Sequence, residues 1–283
     1  MELVETANPK RAWKSLEFIL GVFLVGGIIL GVIYALIFMQ ASASRLDLAH
    51  RLLPPFRDYA HIFGTDPIGR DVLSRVMTGG AISLQIGFYS VIVSLVIGVF
   101  FGLIAGYYRG ITDMLVMRFA DVQLALPFIL LAITFMAIIG GGFWQTIILL
   151  VVSQWVQYAR LVRGSVLGLN DQEFILSARA IGVSNPRIIF QHMLPNLLGP
   201  VIVLMTLNVA NNILLESSLT FLGMGVDLKT PSWGGMLADG RTYLQSAWWV
   251  SFFPGLAILS TVLGLNLLGD WLRDILDPRG RTR

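Results

Sequence analysis

The 283-residue chain has no cysteine, so a disulfide framework and a cysteine-based zinc site are excluded. Charge is scarce: 13% of residues are Asp, Glu, Lys or Arg, against about 25% in an ordinary soluble domain. Lysine is nearly missing, with three copies beside 17 arginines. Too few polar groups remain to cover a water-facing surface. A soluble enzyme, a disordered chain and a nucleic-acid-binding domain are therefore excluded. Catalytic motifs are missing as well. There is no GxxxxGK[ST] phosphate loop, no HExxH and no nucleophile elbow. The three histidines, His50, His61 and His192, are scattered and define no metal site. The sequence thus supplies no catalytic residue, no metal ligand set and no cofactor site, and any energy for work must come from another chain.

What is abundant is apolar. Hydrophobic residues make up 55% of the chain, and the mean hydropathy is +0.75. A bilayer core about 30 Å thick needs roughly 20 apolar helical residues. Six segments meet that need: Leu16 to Met39, about Ala81 to Tyr108, Met114 to Ile139, Phe143 to Leu161, Leu197 to Leu219 and Trp248 to Leu268. The third and fourth come from one charge-free run, Val122 to Ala159, divided at Gly140-Gly141-Gly142. The first run follows Lys10, Arg11 and Lys14, and Ala41-Ser42-Ala43 resembles a cleavage site. Its 24 residues nevertheless exceed a signal-peptide core, so a retained helix is predicted. The predicted fold is an all-α polytopic membrane protein with six transmembrane helices. With both termini cytoplasmic, 13 basic residues fall inside and 7 outside, as the positive-inside rule requires. Trp13 and Trp271 then fall at inner borders, and Trp144, Trp248 and Trp249 at outer ones.

Two features mark the predicted spans. Gly98, Gly102 and Gly106 share one helical face, as do Gly27 and Gly31, which suits close helix packing. Asn208, Asn212 and Glu216 follow at i, i+4 and i+8, with Asn211 beside them. Polar groups at membrane depth face a partner or a water-filled cavity. The face either lines a transport path or bonds to neighbouring helices, with Glu216 near the outer interface.

The longest predicted inner segment, about residues 162 to 196, reads as a helix–turn–helix. Asn170 or Asp171 can cap a helix over about Gln172 to Ile181, whose apolar face is Phe174, Ile175, Ala178 and Ile181. Gly182 suits the left-handed position that stops it. Asn185 as N-cap and Pro186 in the first turn restart a helix, and Leu194-Pro195 bends the chain into the next span. Such a hairpin lies in the headgroup plane or docks a soluble partner; periodicity does not choose.

The spacing within it is specific. Leu176-Ser177-Ala178, three residues, Gly182, nine residues, His192, one residue, then Leu194-Pro195 resembles the EAA loop of ABC importer permeases, with Leu176 in place of its Glu and His192 in place of its Ile. The run from Gly64, Thr65 and Asp66 through Gly69, Arg70 and Asp71 to Ser74 and Arg75 resembles the GTDxxGRDxxSR signature of the dipeptide/oligopeptide/nickel permease family, C-type subunit. Ala125-Leu126-Pro127, Phe221-Leu222-Gly223-Met224-Gly225, Pro231-Ser232-Trp233-Gly234 and the stretch from Gly269 to Arg279 resemble it too.

The resemblance implies a type I ABC importer permease in a bacterial inner membrane. Residues 1–80 would hold a cytoplasmic N-terminus, the first helix and an extracytoplasmic loop. Residues 81–270 would be the ABC type-1 transmembrane domain of five helices, and 271–283 a cytoplasmic tail. It implies a homologous B-type permease, two cytoplasmic ABC ATPases carrying ATP and magnesium, an extracytoplasmic solute-binding protein and the lipid bilayer as partners, and no nucleic acid. Ser177, Ala178, Arg179, Gly182, Val183 and Ser184, with Leu194 and Pro195, would form the loop coupled to an ATPase. Gly64 to Arg75 and Gly223 to Ala247 would face the binding protein, unless Asp66, Arg70 and Asp71 pair with one another to brace the loop. Transport would proceed by alternating access. Di- and oligopeptides are the foremost cargo, with nickel complexes, opines or glutathione as alternatives. A self-sufficient channel or secondary transporter would need inverted repeats or a charged midplane pathway, and an intramembrane enzyme a catalytic constellation.

Overall fold

The computed structural model describes residues 15–39, 43–227 and 230–276. Lys10, Arg11, Trp13, Lys14, Ala41, Ser42, Lys229 and the tail from Asp277 lie outside the described residues. Among these, all regular structure is helical, and one isolated bridge joins Thr65 to Asp71.

The first helix, α1, is Leu16–Phe38, started by Ser15, whose hydroxyl accepts from Phe18 N at 3.3 Å. It lies along the last helix, α9 (Trp249–Leu276), and most of its other surface is exposed and apolar. A Cβ on Gly21 would sit 2.8 Å from Leu268 Cγ, and one on Gly264 would sit 2.7 Å from Val25 Cγ2. Phe18 meets Trp271 with ring centroids 4.4 Å apart. The small-residue contact of α1 is therefore at Gly21. Gly27 has open space around it, and Gly31 meets only Met77.

The second helix, α2, runs from Val72 to Tyr108, 37 residues. At about 1.5 Å per residue it is about 55 Å long, well beyond a hydrocarbon core of about 30 Å. Asp71 caps it, accepting from Ser74 N at 2.7 Å. It ends at Arg109, held at φ 54°, and α3 (Gly110–Ala125) departs at once. α3 and α4 (Phe128–Ile139) meet at 90°. Met114 to Ile139 is thus not one straight span. Leu126 precedes Pro127, which drives it to ψ 123° and out of the helix.

After Gly140, Gly141 and Gly142 comes α5 (Phe143–Leu169). It packs along α2 because Gly98, Gly102 and Gly106 leave room for it. A Cβ on Gly102 would lie 2.6 Å from Ala159 O, one on Gly106 2.8 Å from Val166 Cβ, and one on Gly98 would collide with Trp155 O. Leu150, Val156 and Ala159 are fully buried on this helix, and so is Leu149, on the side that meets Ala132 and Met136 of α4. α6 (Glu173–Ala180), a turn over Asn185–Arg187 and a π-helical turn over Ile188–Met193 lead into α7 (Leu194–Phe221). The short α8 (Trp233–Gly240) precedes α9.

By length and apolar composition, α1, α2, the Asn185–Phe221 stretch and α9 can each cross a membrane, and the α3–α4 pair makes a fifth span if counted together. α5 falls short of that composition because Gln145, Gln154, Gln157, Arg160 and Arg163 interrupt it. Its place is inside the bundle, where apolar composition matters less than a fitted face.

Candidate functional site: a clamped hairpin and a charged knot at opposite ends of one helix

The hairpin packs at the Tyr108 end of α2. In α6, Ile175 and Ala178 are buried against Leu103, Tyr107, Val162, Val166, Ile188, Ile189 and Met193. The other apolar residues of the predicted face point away: Phe174 is 44% exposed and Ile181 80%, with Leu176 at 50%. The hairpin thus carries an inward apolar side that anchors it and an outward apolar side that the described residues leave largely exposed.

Its C-terminus is a Schellman turn. Val183 N donates to Ala178 O at 3.0 Å, Gly182 N donates to Arg179 O at 3.0 Å, and Gly182 sits at φ 78°. The N-terminus differs from expectation. Gln172 occupies the N-cap without a side-chain bond. Asn170 instead donates to Gly106 O at 2.9 Å and accepts from Arg179 Nη2 at 2.6 Å. Asn185 does not cap either. Ser184 holds that position, and Asn185 Oδ1 accepts from Tyr107 OH at 2.8 Å. The Arg179 guanidinium lies 5.2 Å from the Tyr107 ring centroid. Both asparagines serve contacts to α2 in place of local caps. Leu194-Pro195 makes no bend. Leu194 N reaches back to Ile189 O, and this wide turn carries Pro195, which has no N–H to donate, into α7.

At the Val72 end, the Gly64-to-Arg75 motif folds into a charged knot. Asp66 is 1% exposed and accepts from Ile68 N and Arg70 N, both at 2.9 Å, from Arg70 Nε at 2.6 Å and from Arg75 Nη1 at 2.5 Å. Both guanidiniums also reach Asp239 on α8, at 3.6 and 3.5 Å. Two cations and two carboxylates balance within a small volume. Asp71 accepts from Ser74 N and Oγ and pairs with His61 at 3.1 Å. Thr65 Oγ1 donates to His50 O, and Trp249 Nε1 donates to Thr65 O at 3.1 Å. The two glycines have φ 78°, and a Cβ on Gly69 would collide with Asp47 O. In the nearby exposed turn, the hydrogen bond from His50 holds the Asp47 carboxyl below its ordinary pKa. The motif residues brace the loop against α8 and α9.

The polar strip of α7 lies between helices. Asn208 is 5% exposed, and Asn212 and Glu216 are 0%. Asn212 Nδ2 donates to Ser90 Oγ at 2.7 Å, and its oxygen accepts from Gln154 Nε2. Glu216 accepts from Thr220 Oγ1 at 3.0 Å and Ser217 Oγ at 3.3 Å, with Ser83 and Ser232 beside it. Within this chain the face makes the contacts of the second reading, bonding to neighbouring helices: Ser83 and Ser90 of α2, Gln154 of α5 and Ser232 just before α8 lie against it. Glu216 does not reach an exposed border. In the same layer Gln154 Oε1 has no hydrogen-bond partner, and Tyr158 lies beside Asn208.

Asp239, Tyr107 and Gln154 were not singled out by sequence reasoning, and Asn170 was singled out only as a cap. Gln154 and Tyr158, at i and i+4 in a charge-free run, carried a readable signal; Asp239 carried none.

A helical bundle with apolar flanks and a hairpin clamped to its longest helix has the build of a multi-pass membrane protein. Residues 98–282 match the family described as the binding-protein-dependent transport system inner membrane component. The dipeptide transport system permease protein DppC of Alkalihalophilus pseudofirmus is 43% identical over 273 residues, covering 96% of this chain and 89% of the relative. The oligopeptide transport system permease protein OppC of Bacillus subtilis is 40% identical over 261 residues, covering 92% and 85%. A chain of the MetNI methionine ABC transporter, in an inward-facing conformation, superposes with a TM-score of 0.57 at 19% identity, over 72% of this chain and 96% of that one. The chain belongs to the inner-membrane permease family of ABC importers, as a multi-pass protein of the bacterial inner membrane.

Proposed function

We propose that the chain is the C-type permease of a di- and oligopeptide importer, and that the α6 hairpin, Ser177 to Ser184 with Leu194 and Pro195, docks into a cytoplasmic ATPase. The observation that carries the coupling role is the division of α6: Ile175 and Ala178 anchor it, while Phe174, Leu176 and Ile181 remain uncovered. An uncovered apolar side on a rigid hairpin suits a groove in a soluble partner. The relatives' names support the cargo. The sequence lacks a nucleotide-binding motif, so ATP and magnesium belong on two partner ATPases. A homologous B-type permease completes the path, and a solute-binding protein delivers cargo to the opposite side, near the Asp66 knot. The basic residues support a cytoplasmic hairpin and cytoplasmic termini.

The test is uptake of a radiolabelled dipeptide into proteoliposomes holding the complete complex. Uptake should require binding protein and ATP hydrolysis. Gly182→Asp places a β-carbon at φ 78° and a charge beside the exposed face, at a local cost of about 1 kcal/mol or more. The variant should insert in the membrane yet lose uptake and stimulated ATPase activity. Full coupling in it would remove the docking role. Uptake of glutathione or a nickel complex without dipeptide uptake would remove the peptide assignment.

A further inference from the structure

The other side of α7 carries a different asparagine. Asn211 is exposed, and its side chain hydrogen-bonds to none of the described residues. It lies ten residues before Phe221, the end of α7, hence about 15 Å along the axis from that end, inside the stretch apolar and long enough to cross a membrane. An amide facing hydrocarbon at that depth has neither water nor protein to bond to, an arrangement membrane proteins avoid.

The surface around it is not that of a lipid-facing helix. α1 supplies the comparison: past Glu17 in its first turn, its exposed residues are apolar, among them Leu20, Phe23, Leu30, Ile33 and Ile37, with Tyr34 the one exception. On α7, Asn211 shares its exposed strip with Leu214, Ser218 and Leu222, a mixed polar and apolar series without charge. Ser218 Oγ donates to Leu214 O at 2.8 Å and is satisfied within its own helix. Asn211 alone keeps both a free donor and a free acceptor. Its backbone is fixed, because Ala210 and Asn212 on either side are buried and Asn212 is bonded to Ser90 and Gln154.

We propose that Asn211 lines the translocation path and bonds to the main chain of the passing peptide. This rests on the peptide-importer reading above. A carboxamide offers one donor group and one acceptor, the complement of a peptide bond, which every such cargo carries whatever its side chains. It bears no charge, so it can guide a peptide without trapping one of opposite sign. Leu214 and Leu222 give apolar side chains a surface beside it. Specificity for peptides over other small solutes would then reside partly in this residue.

The chain has no native cysteine, which makes accessibility directly readable. Asn211→Cys, Ile213→Cys and Leu30→Cys are each assembled with the partner permease and ATPases in proteoliposomes and exposed to a membrane-impermeant maleimide. Ile213 is 0% and Leu30 69% exposed. Position 211 should label in at least one nucleotide state, and more slowly with loaded binding protein and ATP present. The fully buried 213 and the lipid-facing 30 should stay unlabelled. Asn211→Leu should lower dipeptide uptake at least several-fold with the complex intact, and Asn211→Gln should restore most of it. If position 211 is inert in a complex that still imports dipeptide, or cross-links to the partner permease without being labelled, the inference is overturned. If it labels while the unsubstituted complex imports no dipeptide, the cargo assignment falls instead.

Discussion

Asp66 shows how one side chain can decide a loop. Four donors converge on a carboxylate that is 1% exposed, and two of them are guanidinium groups. Arg75 is itself only 4% exposed. Asp66→Asn would leave both arginines to Asp239, whose carboxylate is one-third exposed and a full ångström further away than Asp66. Breaking a buried pair from one side costs about 3 kcal/mol. The purified variant should therefore melt several degrees lower, and Arg75→Met in the same chain should recover part of the loss. An unchanged melting temperature in the single variant would show that the knot contributes nothing to stability. The residue scale is also where sequence reasoning reached least far. Gly182 was legible because a helix-stopping glycine follows a local rule. Asn170 and Asn185 obeyed the same kind of rule on paper, yet their amides bond to Gly106 and Tyr107, which lie 64 and 78 residues away. A contact formed at that separation leaves no mark in the neighbouring residues.

Among elements, the α2–α5 contact carries the most consequence. Its three glycines were legible as a packing face, because a four-residue period of small residues has few other uses in a membrane helix. The same pattern at Gly27 and Gly31 did not mark a packing face within this chain: Gly27 has no neighbour and Gly31 meets a single flexible methionine. The pair supplies a matched comparison. Gly102→Leu forces a side chain onto Ala159 O and Val162, and overpacking of this kind costs about 1–3 kcal/mol or more. Its yield in the membrane fraction should fall sharply, whereas Gly27→Leu should accumulate like the unsubstituted protein. Equal yields would mean that α2 and α5 can separate at no cost. The bend between α3 and α4 was missed for a different reason. Hydropathy does not register geometry, and Leu126-Pro127 looks as apolar as the helices on either side. The strip on α7 was read as either lining a path or bonding to neighbouring helices, because the period fixes which residues share a face and not what covers it. α2 and α5 cover the Asn212 side, and none of the described residues covers Asn211.

For the molecule as a whole, orientation follows from charge. Arg187→Cys and Arg57→Cys, placed in a chain that has no other thiol, should react oppositely with an impermeant reagent in intact cells: position 57 at once, position 187 only after permeabilisation. The reverse pattern would invert the bundle. The all-helical class and the order of its elements were legible because the lipid environment leaves so few choices of backbone. The distribution of its polar groups was not, since that depends on which helices meet. The length of α2 has a mechanical consequence. Tyr107 ties one end to Asn185 and Arg179 in the hairpin, and Asp71 and Arg75 tie the other to α8 and the outer loop. With the hairpin docked on an ATPase as proposed above, the helix would act as a lever arm of about 55 Å. Rocking it by about 5° about the hairpin would swing the far end by about 5 Å, roughly the length of one helical turn. A small displacement delivered by the ATPase would thus arrive at the opposite surface already amplified, with no separate relay to carry it.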